Sequence, residues 1–559
     1  MATGGIFTII TNDGKQDRML MATELLKARL HRISMARAQS GLDRTPTLVD
    51  IEKTHVLFMN AHFKPFAAIG YEYNKVRPSA GNVTLSSTVQ FSIPQFGDFF
   101  HDMVLHVRLG AVAASTTTHT WRWVAYPGER LMNRVSFTVN GNPLDQYYKE
   151  DYVFYRQFEL AAAKRRGYDR CTGQQEMIHA QIIPLDGLAL NDPATGSFGT
   201  ATAGSANSAG FWVNVTDGYQ TVKTAVAHST TQTGTNAVVH QRTDILEVTM
   251  PLIFWFNKDP RLSIPSVSIP FGQRFIEVDL AALSDLARGQ AVTGADTSSA
   301  STAATLSITG TEVPVCDLYV NNIFVNPEVH DIFIKRIGFN LIRVHRRQLN
   351  RITDATSSEL LLNNFKWPIE SIYFGFRDAG STNSVNQFTP SNNNRYMDGW
   401  HRFSQCREVV NSIGHDLAGQ QTNTSATAAV DLLLNVQYNR LLPVVQSVTF
   451  KAHGIPIYND IPAIIYNQYI PLVYGSSLAT PDDPGVYLVT FNLYPGVYQP
   501  SGHLNVSRAR EFYVAFDDTP PSNARNLGNP LDAADFVASA TAINFLLISD
   551  GSAVLRYST

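Results

Sequence analysis

The chain is short of charge. Of its 559 residues, 16% are charged, against about 25% in ordinary soluble domains. The formal net charge is −3, which gives no electrostatic footprint for nucleic acid, so no direct nucleic-acid partner is expected. So few charges also imply that much of the surface is neutral polar or covered by other chains. Cysteine is scarce as well. Cys171, Cys316 and Cys406 lie far apart and form no CxxC pair. That excludes a disulfide framework and a cysteine zinc site, and fits reduced, buried thiols in a cytoplasmic product. No stretch approaches the roughly 20 apolar residues needed to cross a bilayer. The opening MATGGIFTIITNDGKQDR lacks the basic start and apolar core of a secretory signal.

Catalytic motifs are missing too. Gly14-Lys15 has neither the upstream glycine nor the following Ser/Thr of a phosphate-binding loop, and there is no GxSxG elbow or HExxH helix. In DFFHD, Asp98 and Asp102 share a face at strand spacing while His101 points away, which reads as a polar strand end rather than a metal site. Lys164-Arg165-Arg166 is read as the cationic end of a helix. RVHRRQLNR carries Arg343, His345, Arg346, Arg347 and Arg351. It lacks the interleaved aromatics of a nucleic-acid surface and is read as interface salt bridges or a solvated strand end. The expectation is no enzyme, with no catalytic, cofactor or metal residues.

What is present is β-structure on a large scale. The length implies two or more domains, and 11% aromatics argue against disorder. Helical spacing is confined to a few places. Leu25, Leu26, Leu30 and Ile33 mark a basic amphipathic helix over 17–39, stopped at Gly41. A second helix is predicted over 150–166, ended by Gly167. Elsewhere strand patterns dominate, including VTLSSTVQFSI, MVLHVRLGAV, RVSFTVNGNPLDQY, ILEVTMPLIFWFNKD and CDLYVNNIFV, then KRIGFNLIRVH, IESIYFGF, VVQSVTFKAHG, GVYLVTFNLY, REFYVAF and INFLLIS. Asn140-Gly141 has the dihedral freedom of a tight hairpin. Gly/Ala/Thr/Ser-rich stretches over 191–242 and 289–310 read as surface loops. Asn326-Pro327 opens a short helix that separates two β-rich halves. PRLSIPSVSIPFGQRFI (260–276) alternates like a strand, with Pro265, Val267, Ile269 and Phe271 on the core side. Pro265 and Pro270 are then expected at a strand start, bend or bulge, and Pro94 near a strand end.

Several stretches carry a family resemblance. NAHFKPFAAIGYEYNKVRP, FSIPQFGDFFHDM, YPGERL, VNGNPLD, LSIPSVSIPFGQRFI, FIKRIGFNLIRVHR, KWPIE, YQPSGHLNVSRAREFY and SATAINFLLISDGSAVLRYST are collinear over nearly the whole chain. Together they resemble the major capsid proteins of African swine fever virus and similar large DNA viruses, with the departures concentrated in the polar loops. The resemblance implies an all-β fold of two tandem antiparallel jelly-roll sandwiches, a double jelly roll with long loop insertions. The division is then a basal arm at 1–44, a first jelly roll at 45–326, a helical linker at 327–334 and a second jelly roll at 335–559. It also implies a homotrimer, a pseudo-hexagonal capsomer that tiles an icosahedral virion shell around an inner membrane, assembled in the host cytoplasm without enzymatic activity. Neighbouring capsomers are the expected partners, with minor capsid proteins or the inner membrane reached through the arm. The loops are the expected place for host-surface contact. The long non-local β topology makes a folding chaperone an expected helper.

A second function class remains open at this point, a carbohydrate-binding or carbohydrate-hydrolysing β-sandwich. It needs exposed aromatics or a free carboxylate pair. The candidates are Trp121, Trp123, Trp212, Trp255, Trp367 and Trp400, with Trp121 and Trp123 the best placed for an exposed pair.

Overall fold

The computed structural model describes residues 23–41, 70–114, 119–174, 245–269, 273–291, 306–325, 338–352, 359–378, 400–410, 437–475, 477–507, 511–518, 534–549 and 552–557. It also describes four two-residue strands between 183 and 222. The chain divides into two units, Met1–Ala68 and Ile69–Thr559. In the first, helix α1 spans Thr23–Gln39 and stops at Gly41, whose φ of 72° suits glycine. Its charged and apolar residues are spread almost evenly around the axis, so the expected amphipathic character is weak. Arg37 follows Ile33 at the four-residue spacing that brings side chains to one face.

Among the described residues, the second unit is built from sixteen principal strands in four antiparallel sheets. The first eight are β1 (Gly70–Val76), β2 (Thr88–Ser92), β3 (Phe99–Arg108), β4 (Met132–Val139), β5 (Asn142–Tyr148), β6 (Glu247–Pro251), β7 (Arg274–Leu280) and β8 (Val315–Phe324). They form sheets in the order β1-β8-β3-β6 and β2-β7-β4-β5. The next eight are β9 (Gly338–Ile352), β10 (Glu359–Leu361), β11 (Pro368–Asp378), β12 (Val445–Ala452), β13 (Ile455–Pro462), β14 (Val486–Thr490), β15 (Phe512–Asp518) and β16 (Ala534–Ser549). Their sheets run β9-β16-β11-β14 and β10-β15-β12-β13. Adding eight to each number in the first pair of sheets gives the second pair. The two halves are therefore sandwiches of one winding, as expected of tandem jelly rolls. A last strand, β17 (Ser552–Leu555), extends the second half beside β16. Among the described residues, no strand of one half pairs with a strand of the other.

Each sandwich closes on an aromatic centre because alternate strand residues point inward. In β7, Arg274, Ile276, Val278 and Leu280 are buried and the residues between them are half-buried. Phe137 lies 5.2–6.1 Å from Phe100, Phe254, Trp255 and Phe256. Phe374 is packed in the same way by Phe450, Tyr487 and Phe536. Burying a side chain of this size contributes about 1.5–3 kcal/mol. The Asn140-Gly141 hairpin forms as predicted, with φ of 51° and 79° and Val139 opposite Asn142.

Four expectations need correction. The helix predicted over 150–166 is broken. It runs as an α-helix Lys149–Phe154 and a π turn Tyr155–Glu159, opens to extended backbone at Leu160, and restarts as Arg165–Cys171. The restarted helix runs through Gly167 and ends at Cys171, two residues before Gly173 (φ 75°). Arg165 and Arg166 therefore begin a helix rather than end one. Next, the strand predicted through LIFWF ends at Pro251, and Trp255–Lys258 forms a helical turn. The 260–276 stretch is also mostly not a strand. Ile264–Pro265 makes a two-residue bridge to the start of β3, outside the main sheet order. Residues 266–269 then turn back, with Ser266 N donating to Asp98 O (2.7 Å) and Ile269 N to Ser266 O (3.2 Å). Pro265 replaces no central ladder donor, and Pro94 lies just past β2. Pro270 and Phe271 lie outside the described residues. Finally, Cys171 is exposed at the end of its helix, while Cys316 is buried and its thiol is pushed up to about 12 by desolvation. The predicted Asn326-Pro327 helix, the Cys406 side chain and nearly all of the polar loop 191–242 fall outside the described residues.

Candidate functional site

The chemistry-bearing side chains gather where the two sandwiches meet. Edge strand β5 of the first lies against edge strand β9 of the second. An open edge invites unwanted pairing, so edges are normally covered or charged. Here one aspartate covers both. Asp145 of β5 is fully buried through its carboxylate. Its Oδ1 accepts from the backbone N–H of His345 at 2.9 Å, and its Oδ2 pairs with His345 Nδ1 at 3.0 Å. Burial disfavours the imidazolium, but Asp145 and Asp151 outweigh it and hold the His345 pKa above the ordinary value. Burial pushes Asp151 up as well, against the pull of His345 and a hydrogen bond from Ser539 of β16.

The short helix after β5 adds an ion network. Glu150 pairs with Arg347 (3.1 Å) and Arg377 (3.6 Å), Arg377 approaches Asp535 (4.0 Å), and Arg351 pairs with Asp535 (2.8 Å). Desolvation opposes the Glu150 carboxylate, but Arg377 and Arg347 prevail and hold its pKa below the usual range. Aromatics seal the same helix. Phe154 stacks on Phe403 (5.3 Å) and Tyr373 (6.2 Å), and Phe158 packs on Tyr373 (5.3 Å). Backbone bonds complete the joint, with Ala479 N donating to Phe158 O (2.6 Å) and Asp482 N to Gln157 Oε1 (2.9 Å). Arg165 pairs with Asp482 across it. Beneath the joint, within the first sandwich, Arg156 and Glu129 form a fully buried pair at 2.8 Å. Tyr168 OH also donates to Glu129, and the guanidinium lies over the Tyr126 ring. Glu129 holds Arg156 further above its ordinary pKa despite the burial.

The cationic run predicted as interface salt bridges or a solvated strand end is divided: His345 and Arg347 pair across the joint, while Arg343, Arg346 and Arg351 find their partners within the second sandwich. Arg343 is bidentate to Glu370 and donates to the carbonyls of Val497 and Tyr498 (3.0 Å each). Arg346 lies over Trp367, and His345, Arg347 and Arg351 pair as described. In DFFHD the three polar residues serve separate structural tasks. Asp98 accepts from Val325 N (2.8 Å), His101 meets Phe256 O, and Asp102 accepts from Tyr73 OH (3.1 Å). Among the described residues no group of three or more His, Cys, Asp or Glu is placed to hold a metal ion. No described helix is long and apolar enough to cross a membrane.

The geometry is that of a weld between two like units, and comparison with known proteins gives it a context. The model for the large eukaryotic DNA virus major capsid protein matches residues 323–554, and the model for the major capsid protein N-terminus matches 71–326. The hexon protein p72 of African swine fever virus is 33% identical over an alignment that covers all of both chains. The chain belongs to the major capsid protein family of large eukaryotic DNA viruses. The Faustovirus major capsid protein has a similar structure, with a TM-score of 0.64 and 34% identity, covering 96% of this chain and all of that one. The capsid protein in a quasi-atomic model of the PBCV-1 virus shares the double jelly-roll fold at a TM-score of 0.55 and 18% identity, covering 90% of this chain and all of that one.

For this capsid protein the carbohydrate reading finds little footing. Trp123, Trp255, Trp367 and Trp400 are buried, and the side chains of Trp121 and Trp212 lie outside the described residues. A cavity of about 480 Å³ at the junction is lined by Asp102, Glu159, Asp259 and Glu370. These are held by Tyr73, Lys258, Arg261 and Arg343 respectively. They are committed to structure rather than aligned as an acid–base pair.

The joint also carries a pH signature. His345 has a raised folded pKa, so its stabilisation is complete below the unfolded value of about 6.5 and is lost as pH rises through the folded value. Asp151, also raised, acts in the same sense at lower pH, whereas Glu150, held low, loses its contribution only as pH falls through its folded value. The thermal midpoint is therefore expected to fall as pH rises above about 6.5 through the folded value of His345, and His345→Gln to flatten that slope. Melting curves that keep the wild-type slope in His345→Gln would show that the clasp does not titrate.

Proposed function

We propose that three copies of this capsid protein form a ring-shaped, pseudo-hexagonal capsomer, and that these capsomers tile the outer shell of an icosahedral virion assembled in the host cytoplasm. In this reading residues 45–326 and 335–559 are the two jelly-roll domains, joined by a linker at 327–334. The role is structural, without enzymatic activity or cofactor. The observation that carries the reading is the repeated sheet order of the two sandwiches together with the charged weld between them. One rigid chain then supplies two similar corners, and three chains supply six. Cyclic closure of this kind needs a head-to-tail contact from each copy to the next. Light scattering on the purified chain is expected to give three times the chain mass, and a strictly monomeric protein contradicts it. Residues 1–44 are read as a basal arm toward minor capsid proteins or the inner membrane. Particles that assemble normally from a chain lacking residues 1–40 would count against that assignment.

A further inference from the structure

The internal weld has a counterpart that the single chain leaves open. In the first sandwich, strand β5 is followed by a helical segment containing the π turn Tyr155–Glu159. In the second, the equivalent strand β13 is followed by the π turn Ile465–Tyr469 and the helical turn Ile470–Val473. The first of these pairs is covered, because it docks on β9, β11 and β16 of the second sandwich through Asp145, Glu150, Phe154 and Phe158. The second pair is bare and apolar. Ile455 is 69% exposed, Ile464 67% and Leu472 72%, and Ile457, Tyr469 and Tyr474 are exposed beside them. Between Lys451 and Asp482 the only charged residue is Asp460. A bare sheet edge flanked by large apolar side chains is a surface made to be covered.

From this repetition we infer that β13 and residues 463–474 dock on the first sandwich of the next copy, against its β1, β3 and β8, as β5 and its helix dock on β9, β11 and β16 within one chain. The equivalence of strands names the receiving surface. Since β5 lies beside β9, β13 must lie beside strand β1, which is an edge of its sheet. That edge is ready for it, with Tyr71 and Tyr73 both exposed. The occupant is a second copy of this chain because the mate of the second sandwich, by the chain's own internal pattern, is a first sandwich, and its own is already engaged on another face. Alternating the internal weld with this contact generates a head-to-tail ring. The contact is apolar where the internal joint is charged, so burial of apolar surface drives it. The inference rests on the trimer reading above and assigns its contact residues.

Two variants test it. Ile464→Glu/Leu472→Glu places charge on residues that are exposed in the single chain, so the fold is expected to persist by circular dichroism while the mass falls threefold to a monomer. In a Cys171→Ser background, cysteine at Tyr71 or Tyr73 combined with cysteine at Ile455 or Ile457 is expected to give disulfide-linked dimers and trimers on a non-reducing gel, which each single cysteine does not give. If the double glutamate variant fails to fold, the cysteine pairs decide. A trimer that survives both glutamates, or a trimeric preparation in which no cysteine pair links chains, overturns the inference and leaves the trimer standing. A wild-type chain that is monomeric overturns both.

Discussion

Replacing Glu129 by alanine is expected to cost the first sandwich about 3–5 kcal/mol, because it leaves the Arg156 guanidinium buried without its carboxylate. Both side chains are fully buried, and the pair is joined at 2.8 Å with Tyr168 donating to the same carboxylate oxygen. The face of Tyr126 is only a partial substitute for the lost charge. For a domain of this size the loss corresponds to a fall of about 10 °C in melting temperature. The double replacement Glu129→Leu/Arg156→Met is expected to recover most of it, since a buried ion pair exchanged for apolar groups of similar volume is often neutral or stabilising. Denaturant titration of the single and double variants checks this. If Glu129→Ala melts with wild type, or the double variant is no better than the single one, the pair is not the strut described here.

Asp145→Ala is expected to loosen the joint between the sandwiches by about 3–5 kcal/mol at mildly acidic pH. The change removes the acceptor for the His345 backbone N–H and for its ring N–H together, and strands a cationic imidazole in a largely buried place. Above the raised His345 pKa the ring is neutral, so the cost is expected to shrink to the roughly 1–3 kcal/mol of unsatisfied donors. The signature is local as well as global. Hydrogen exchange at the His345 amide should accelerate, and one cooperative melt should separate into two. An Asp145→Ala chain that melts once, at the wild-type temperature, would mean that the ion network around Glu150 alone holds the halves together.

Both carboxylates were hidden from sequence reasoning for the same physical reason. Glu129 and Asp145 look like surface acids in YPGERL and VNGNPLD, and nothing local shows that a second strand 200 residues away will cover Asp145. The cations were easier to see, since Arg343–Arg351 form a dense run in a chain poor in charge, but their partners are non-local. Strand periodicity was legible in strands such as β3, β4 and β9, where buried residues recur along one face. The Asn140-Gly141 turn was legible because its residues must take positive φ. The 260–276 turn was misread because Ser266 is buried along with its apolar neighbours, so a compact turn copies the alternation of a strand. The break after Glu159 had no warning either. The π turn gives way to an extended Leu160 without proline or glycine at the site, and Gly167 drew the helix end toward itself. The repeat of one sheet order in both halves could not be read from composition at all, because the two sandwiches share topology rather than sequence.

The most direct measurement is electron microscopy of the purified full-length protein alongside its mass in solution. Particles with three-fold symmetry, a hexagonal outline and three times the 61.8 kDa chain mass are the expected result. Single two-lobed particles at the chain mass, or two-fold dimers, would contradict a capsomer built by repeating the internal weld from copy to copy.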